Sequence, residues 1–331
     1  MVAAVACTGG AAALERSGGD DGGGSGTATA GVPRIVTIDG RDTPRTPPQG
    51  ANGPLVPVGP GPIPLAVNLA QTVDPVRVRF GKPPTAGLMF DLDTGQVLWR
   101  RNPTRVLPMA SVTKIMTALL VDERVPPGGK VRITKQAVRT GGSRVGVLPL
   151  GKRIGVSTML YGLMLPSGND AAVALAQRVS GTTKAFVRRM NEKAAAMNLR
   201  CTRFASPSGL ADKGNHTCTY DLAALARALL DRPRLAKIVA ARQAILPFPI
   251  KGGKLFLYNH NPLLKQGYPG TLGIKTGYTD AAGKCLVAAV EQDGHRLGVV
   301  LLHSPDIGQQ ARKLLDRGFR FMRTAPKDDT P

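Results

Sequence analysis

The chain has 331 residues, with 44 Lys and Arg against 22 Asp and Glu, a formal charge of +22 at pH 7. Apolar residues make up 42%, yet no apolar run approaches the ~20 residues a bilayer crossing needs, which excludes a polytopic membrane protein and leaves material for a sizeable core. Aromatic residues are only 4%, and no basic run is interleaved with them, so the stacking platforms of single-stranded nucleic-acid binders are missing and no nucleic-acid partner is expected.

Residues 1–63 hold 14 Gly and 8 Pro, 22 of 63 positions, above the ~25–30% at which a segment stops supporting a packed core. A disordered tether is therefore expected over 1–75, a single domain over 76–325 and a polar tail over 326–331. The first residues, Val2-Ala3-Ala4-Val5-Ala6-Cys7, read as the end of an export signal whose basic and apolar sections are missing. They also form a weak lipobox, with Ala4 where Leu is usual, that would make Cys7 a lipidated N-terminus. The plainer alternative is an incidental cysteine.

A hairpin is predicted over 86–99, turning at Asp93-Thr94-Gly95. Apolar spacing and flanking Ser, Thr or Pro then place helices at 111–122, 158–165, 170–179, 183–197 and 219–230. Strands return at 273–278, 284–291 and 296–303, and a last helix covers 307–322. Strands at both ends with helices between them predict an α+β fold: one antiparallel sheet built from N- and C-terminal strands, flanked by helices, with an inserted all-helical region.

Cys201 and Cys218 flank a segment rich in Ser, Pro, Gly and Asn, and a bridge closing about 18 residues is worth about 3 kcal/mol in the chain-entropy model. That pairing implies an oxidising compartment. Cys285 lies in an apolar run and reads as an inert buried thiol. The four histidines are scattered and no cysteines have zinc-knuckle spacing, so neither metal nor cofactor is expected.

Three short segments carry chemistry. Ser111-Val112-Thr113-Lys114 opens a helix, where positions i and i+3 share a face, so an amine stands beside a hydroxyl that needs a base. Leu165-Pro166-Ser167-Gly168-Asn169-Asp170 is a turn between helices in which Ser167 can relay a proton and the Asn169 amide can bridge a lysine and a substrate. Ile274-Lys275-Thr276-Gly277-Tyr278 lies on a strand, with Lys275 and Thr276 able to hold an anion and Gly277 leaving room for an extended substrate. Each is common when taken singly.

Their order, spacing and contexts together match the Ser-Xaa-Xaa-Lys, Ser-Xaa-Asn and Lys-Thr-Gly set of β-lactamases and penicillin-binding proteins. Over roughly residues 76–325 the chain resembles the D-alanyl-D-alanine carboxypeptidases, the low-molecular-mass penicillin-binding proteins. The stretches Phe204-Ala205-Ser206-Pro207-Ser208-Gly209-Leu210 and Asn259-His260-Asn261-Pro262 add to the likeness. The resemblance implies a β-lactamase-like fold and a serine enzyme that removes the terminal D-alanine of peptidoglycan stem pentapeptides. Ser111 would be its nucleophile, Lys114 its base and Ser167 a proton relay with Lys275. Asn169, Lys275, Thr276, Gly277 and Tyr278 would bind substrate, with the Ser111 and Tyr278 amides as oxyanion hole.

The implied partners are the stem peptide, β-lactams as covalent inhibitors, and the anionic wall or membrane surface that a +22 chain would meet. Localisation would be exported and extracytoplasmic, with any lipid anchor at the N-terminus, because the sequence stops shortly after the last helix. One departure is that His303-Ser304-Pro305-Asp306-Ile307-Gly308 lacks the carboxylate-binding arginine of some relatives, which neither His260 nor His303 replaces as a permanent cation. The competing readings are a β-lactamase, for which the segment 201–218 offers Asp212 but no Glu and Asn pair, and a silent wall-binding scaffold.

Overall fold

The computed structural model describes residues 65–70, 72–210 and 213–324. The stretch 1–63, with Cys7 and its lipobox reading, and the polar tail lie outside the described residues, as does Asp212.

The domain begins earlier than the expected boundary at 76. Val67 is buried in the main core, Asn68 bridges to Gln96, and Asp74 pairs with Arg100 at 3.1 Å. Residues 65–70 and 72–75 therefore belong to the folded unit, held by Val67 with Leu65 and Leu69 packed against the core and by a half-buried ion pair.

The sheet opens with β1 (Ala86–Asp91) and β2 (Val97–Arg101), turned at Asp91, whose carboxylate accepts from the Asp93 and Thr94 amides. After the two-residue β3 (Leu107–Pro108) and a 3-10 turn (Ala110–Thr113) comes α1 (Lys114–Arg124), with every residue from Lys114 to Val121 buried. A small lobe follows: β4 (Lys130–Arg132), α2 (Lys135–Val138), whose Thr134 side chain caps it, and β5 (Arg153–Gly155). The helical middle comprises α3 (Val156–Met164), α4 (Asn169–Ser180) and α5 (Thr183–Ala196), then β6 (His216–Thr217), α6 (Thr219–Leu230) and α7 (Pro233–Ala240). A hairpin of β7 (Gln243–Pro247) and β8 (Lys254–Tyr258) leads through α8 (Pro262–Lys265) to β9 (Thr271–Thr279), β10 (Gly283–Gln292) and β11 (His295–Ser304), and α9 (Ile307–Thr324) closes the domain.

The five-stranded antiparallel sheet runs β2-β1-β11-β10-β9, so strands from both ends of the sequence meet at the β1–β11 pair. The α+β expectation holds. Period-two alternation sends the two faces of each strand into different cores. Leu88, Phe90, Cys285, Val287, Ala289, Val300 and Leu302 face the helical region. Met89, Leu286, Ala288, Val290, Leu297, Val299 and Leu301 face α9, where Leu314, Leu315 and Phe319 cover them. A sheet buried on both sides needs near-continuous apolar strands, which is how these segments read. It also leaves β9 as an edge, and the 3-10 turn packs beside that edge.

Candidate active site

Ser111 and Lys114 do not stand on an α-helix as expected. Ser111 lies in the 3-10 turn and Lys114 is the first residue of α1. The tighter turn, three residues per revolution, eclipses positions i and i+3 more closely than an α-helix does, and Lys114 Nζ sits 2.8 Å from Ser111 Oγ. The turn enters through Ala110 at φ 47°, a left-handed conformation unusual for a residue with a Cβ.

Lys114 is fully buried. Its Nζ also donates to Asn169 Oδ1 at 2.7 Å and to the Ser208 carbonyl at 2.6 Å. Burial, and then the nearby positive charge of Lys275, hold its pKa well below the ordinary ammonium range, with Asp170 acting weakly the other way.

The second segment turns sharply between α3 and α4. Ser167 adopts φ 63°, is 5% exposed, and its Oγ is buried with no hydrogen-bond partner. A buried hydroxyl without a partner is rare in a folded chain. Asn169, rather than Asp170, is the first residue of α4; its Nδ2 donates to Gly141 O at 2.9 Å and its amide to Ser143 O at 2.7 Å. Asp170 accepts from the Val145 and Gly146 amides, so this helix start holds the segment 141–146 in place.

On the third segment Lys275 is 2% exposed and its Nζ donates to Thr276 O at 2.9 Å. Burial lowers its pKa to about 7. Thr276 is half-buried and Tyr278 is exposed, with its hydroxyl donating to Asp280 at 2.9 Å. Gly277 lets this strand approach the turn, because a Cβ there would lie 2.9 Å from Ser111 N and 3.1 Å from Ala110 Cβ. Burial, then Lys275 and Lys265, lower the pKa of His260 from the ordinary imidazole value.

The structure thus brings Ser111, Lys114 and Asn169 into direct contact, with Lys275 and Gly277 alongside and the Ser167 hydroxyl buried in the same turn as Asn169. Cys201 and Cys218 are joined by a disulfide. The loop it closes supplies what sequence reasoning missed: Ser208 O on Lys114, Pro207 O accepting from Thr117 Oγ1 at 2.7 Å, and the fully buried Asn215, whose Nδ2 donates to Thr113 Oγ1 at 3.0 Å. Gly209 lies so close to Ala110 O that a Cβ at this position would collide with it. The only available signal was the 204–210 stretch, since a backbone carbonyl has no side-chain signature.

Within this geometry a family model described as D-alanyl-D-alanine carboxypeptidase, peptidase S11, matches residues 84–306 and spans all three segments. The chain belongs to the D-alanyl-D-alanine carboxypeptidase family. Among other members, it is 36% identical over 249 residues to DacF of Bacillus subtilis, covering 73% of this chain and 63% of that one, less than two thirds of the relative's length. It is 35% identical to DacB2 of Mycobacterium tuberculosis over 245 residues, 72% of this chain and 82% of the relative. Among solved structures, the Streptomyces K15 DD-transpeptidase superposes with a TM-score of 0.68 at 30% identity, over 74% of this chain and all of that one. A D-alanyl-D-alanine carboxypeptidase from Mycobacterium tuberculosis superposes at 0.70 and 33% identity, over 77% and 97%. The carboxypeptidase-family domain therefore has the fold of the penicillin-binding DD-peptidases.

Proposed function

We infer that this chain is a serine-type D-Ala-D-Ala carboxypeptidase that removes the terminal D-alanine from peptidoglycan stem pentapeptides. The observation that carries the reading is the threefold environment of Lys114. Asn169 Oδ1 and Ser208 O can only accept, so in the neutral amine they take both N–H groups and direct the lone pair at Ser111 Oγ, 2.8 Å away. The hydroxyl proton then passes to Lys114 as Oγ attacks the penultimate D-Ala carbonyl.

The Ser111 and Tyr278 amides would stabilise the resulting oxyanion, a contribution of about 2.7–4 kcal/mol for a donor of this kind. Close packing of Gly277 on Ser111 N supports that assignment. As the C–N bond breaks, Ser167 and Lys275 deliver a proton to the departing D-alanine amine, and water then hydrolyses the Ser111 ester. Thr276 with Lys275 would bind the terminal carboxylate and Asn169 the acyl side. A β-lactam carbonyl would be attacked in the same way and leave a long-lived adduct on Ser111.

The disulfide supports an exported, extracytoplasmic setting. Among the described residues no helix is long and apolar enough to cross a membrane; a lipid anchor on Cys7 is the attachment we favour. The surplus of positive charge suits an anionic wall or membrane surface. The test is incubation with a pentapeptide ending in D-Ala-D-Ala. Release of free D-alanine by the native chain and none by Ser111→Ala supports the reading, and equal release by both refutes it.

A further inference from the structure

The β7–β8 hairpin plays no part in the chemistry above, yet among the described residues it carries three exposed large apolar side chains on one face. Ile245 and Phe256 face each other across the ladder and Tyr258 follows two residues on, on the same face, at 56%, 54% and 59% exposure. The opposite face is ordinary core, with Leu255 and Leu257 buried. The hairpin therefore has a folded reason for only one of its two apolar faces.

Its electrostatic setting is one-sided. From residue 232 to residue 279 the chain has no Asp or Glu and eight Lys or Arg. Lys251 and Lys254 are exposed at the hairpin tip, and exposed Arg242 stands at its base with its guanidinium 3.4 Å from the carbonyl of Lys265, itself exposed. A polyanion alone would select the lysines but has no use for an aliphatic side chain beside them. Apolar and aromatic groups flanked by long cationic side chains suit the boundary of an anionic bilayer, where rings and aliphatic groups enter the acyl edge and Lys and Arg reach phosphate.

We propose that the β7–β8 hairpin is a membrane-docking element that inserts Ile245, Phe256 and Tyr258 into the interface of an anionic lipid bilayer, with Lys251, Lys254, Arg242 and Lys265 on the headgroups. The proposal rests on the exported setting inferred above and gives the positive surface a specific lipid-facing site. Because His260, two residues beyond β8, lies near Lys275, docking by the hairpin would bring the catalytic pocket close to the lipid surface.

The test uses the full, unlipidated chain and vesicles of phosphatidylcholine with 0 or about 30% phosphatidylglycerol. Flotation should show binding to the anionic vesicles that weakens with salt. Ile245→Ser/Phe256→Ser/Tyr258→Ser should lose about tenfold or more in partitioning. Lys251→Glu/Lys254→Glu should lose about 25-fold or more, since one basic residue at such a surface is worth about fivefold. In a Phe256→Trp variant the added emission should shift to the blue on anionic vesicles. Penicillin labelling should be unchanged in all three, which separates this proposal from the catalytic one: unlabelled native protein would sink the enzyme reading and leave the docking result standing.

Equal partitioning by native and triple-serine chains would overturn the proposal, assigning any binding to another segment. Binding to purified peptidoglycan with none to vesicles would also overturn it, assigning the patch to glycan.

Discussion

If Lys114 is the base, its proton affinity sets the rate, and Asn169→Asp should raise that affinity at constant shape. The new carboxylate would occupy the place of the amide oxygen now 2.7 Å from Nζ. At an effective dielectric of about 20, unit charges at that distance attract by about 6 kcal/mol. Desolvation of the carboxylate offsets roughly half, leaving about 3 kcal/mol, enough to move the lysine's titration upward by roughly two pH units. Penicillin acylation at neutral pH should fall, by up to about a hundredfold, and the loss should shrink as pH rises. Asn169→Ala removes the same acceptor without adding charge and should give a smaller deficit, of order tenfold, that does not vary with pH. Stopped-flow acylation from pH 5 to 10 measures both. Equal, pH-independent deficits in the two variants would refute the assignment of Lys114 as base.

Ser111→Ala should abolish fluorescent-penicillin labelling while leaving the far-ultraviolet circular dichroism unchanged; a labelled variant would name another nucleophile. Gly209→Ala should slow acylation at least tenfold, because a Cβ meets Ala110 O and lies 2.7 Å from Thr113 Oγ1; a variant with native rate would show that the loop adjusts freely. Replacing Cys201 and Cys218 together by serine should cost about 3 kcal/mol in denaturant unfolding and also slow acylation, since the loop they close holds Lys114; native acylation would separate the bridge from the site. Burial raises the Asp221 pKa to about 6 from 3.8. The native state thus binds this proton more tightly than the unfolded chain, and stability falls as pH rises through that window, by about 3 kcal/mol in all. The thermal midpoint of Asp221→Asn should gain on the native chain from pH 4 to pH 7, and a constant difference would refute the shift.

The helical middle was legible because its burial repeats at about 3.6 residues over long stretches, and the central strands because each is a long apolar run bounded by turn residues. The β7–β8 hairpin was not, because its apolar runs are only a few residues long and alternate buried with exposed positions that are apolar as well. Pro247-Phe248-Pro249 ahead of Lys251-Gly252-Gly253 then reads as plain loop. The 3-10 turn at Ser111 was invisible for a related reason: spacing over four residues does not distinguish three residues per turn from 3.6. Of the site, side chains from the three motifs were readable, whereas Ser208 acts through its carbonyl and only the folded chain reveals it. The N-terminal boundary was not legible because Leu65, Val67 and Leu69 make too short an alternation to stand out after a Gly- and Pro-rich stretch.

The two lysines explain why the pocket needs so much scaffold. Lys275 falls from 10.5 to about 7, so in its charged form below pH 7 it costs the native state about 5 kcal/mol relative to an exposed lysine. The unfolded chain holds that proton more tightly, and stability therefore rises with pH between about 7 and 10.5. Lys114 is depressed as well, partly by Lys275 itself, so the pair resists carrying two protons at once. A cost of this size is comparable with the whole margin of a typical domain, about 5–15 kcal/mol. It is tolerable here because both lysines lie where rigid elements converge: one heads α1, buried from Lys114 to Val121, the other lies on a sheet packed on both faces. The same burial that strains the fold lowers the proton affinity of both amines, so the two-sided sheet and the depressed lysines are a single property seen at two scales.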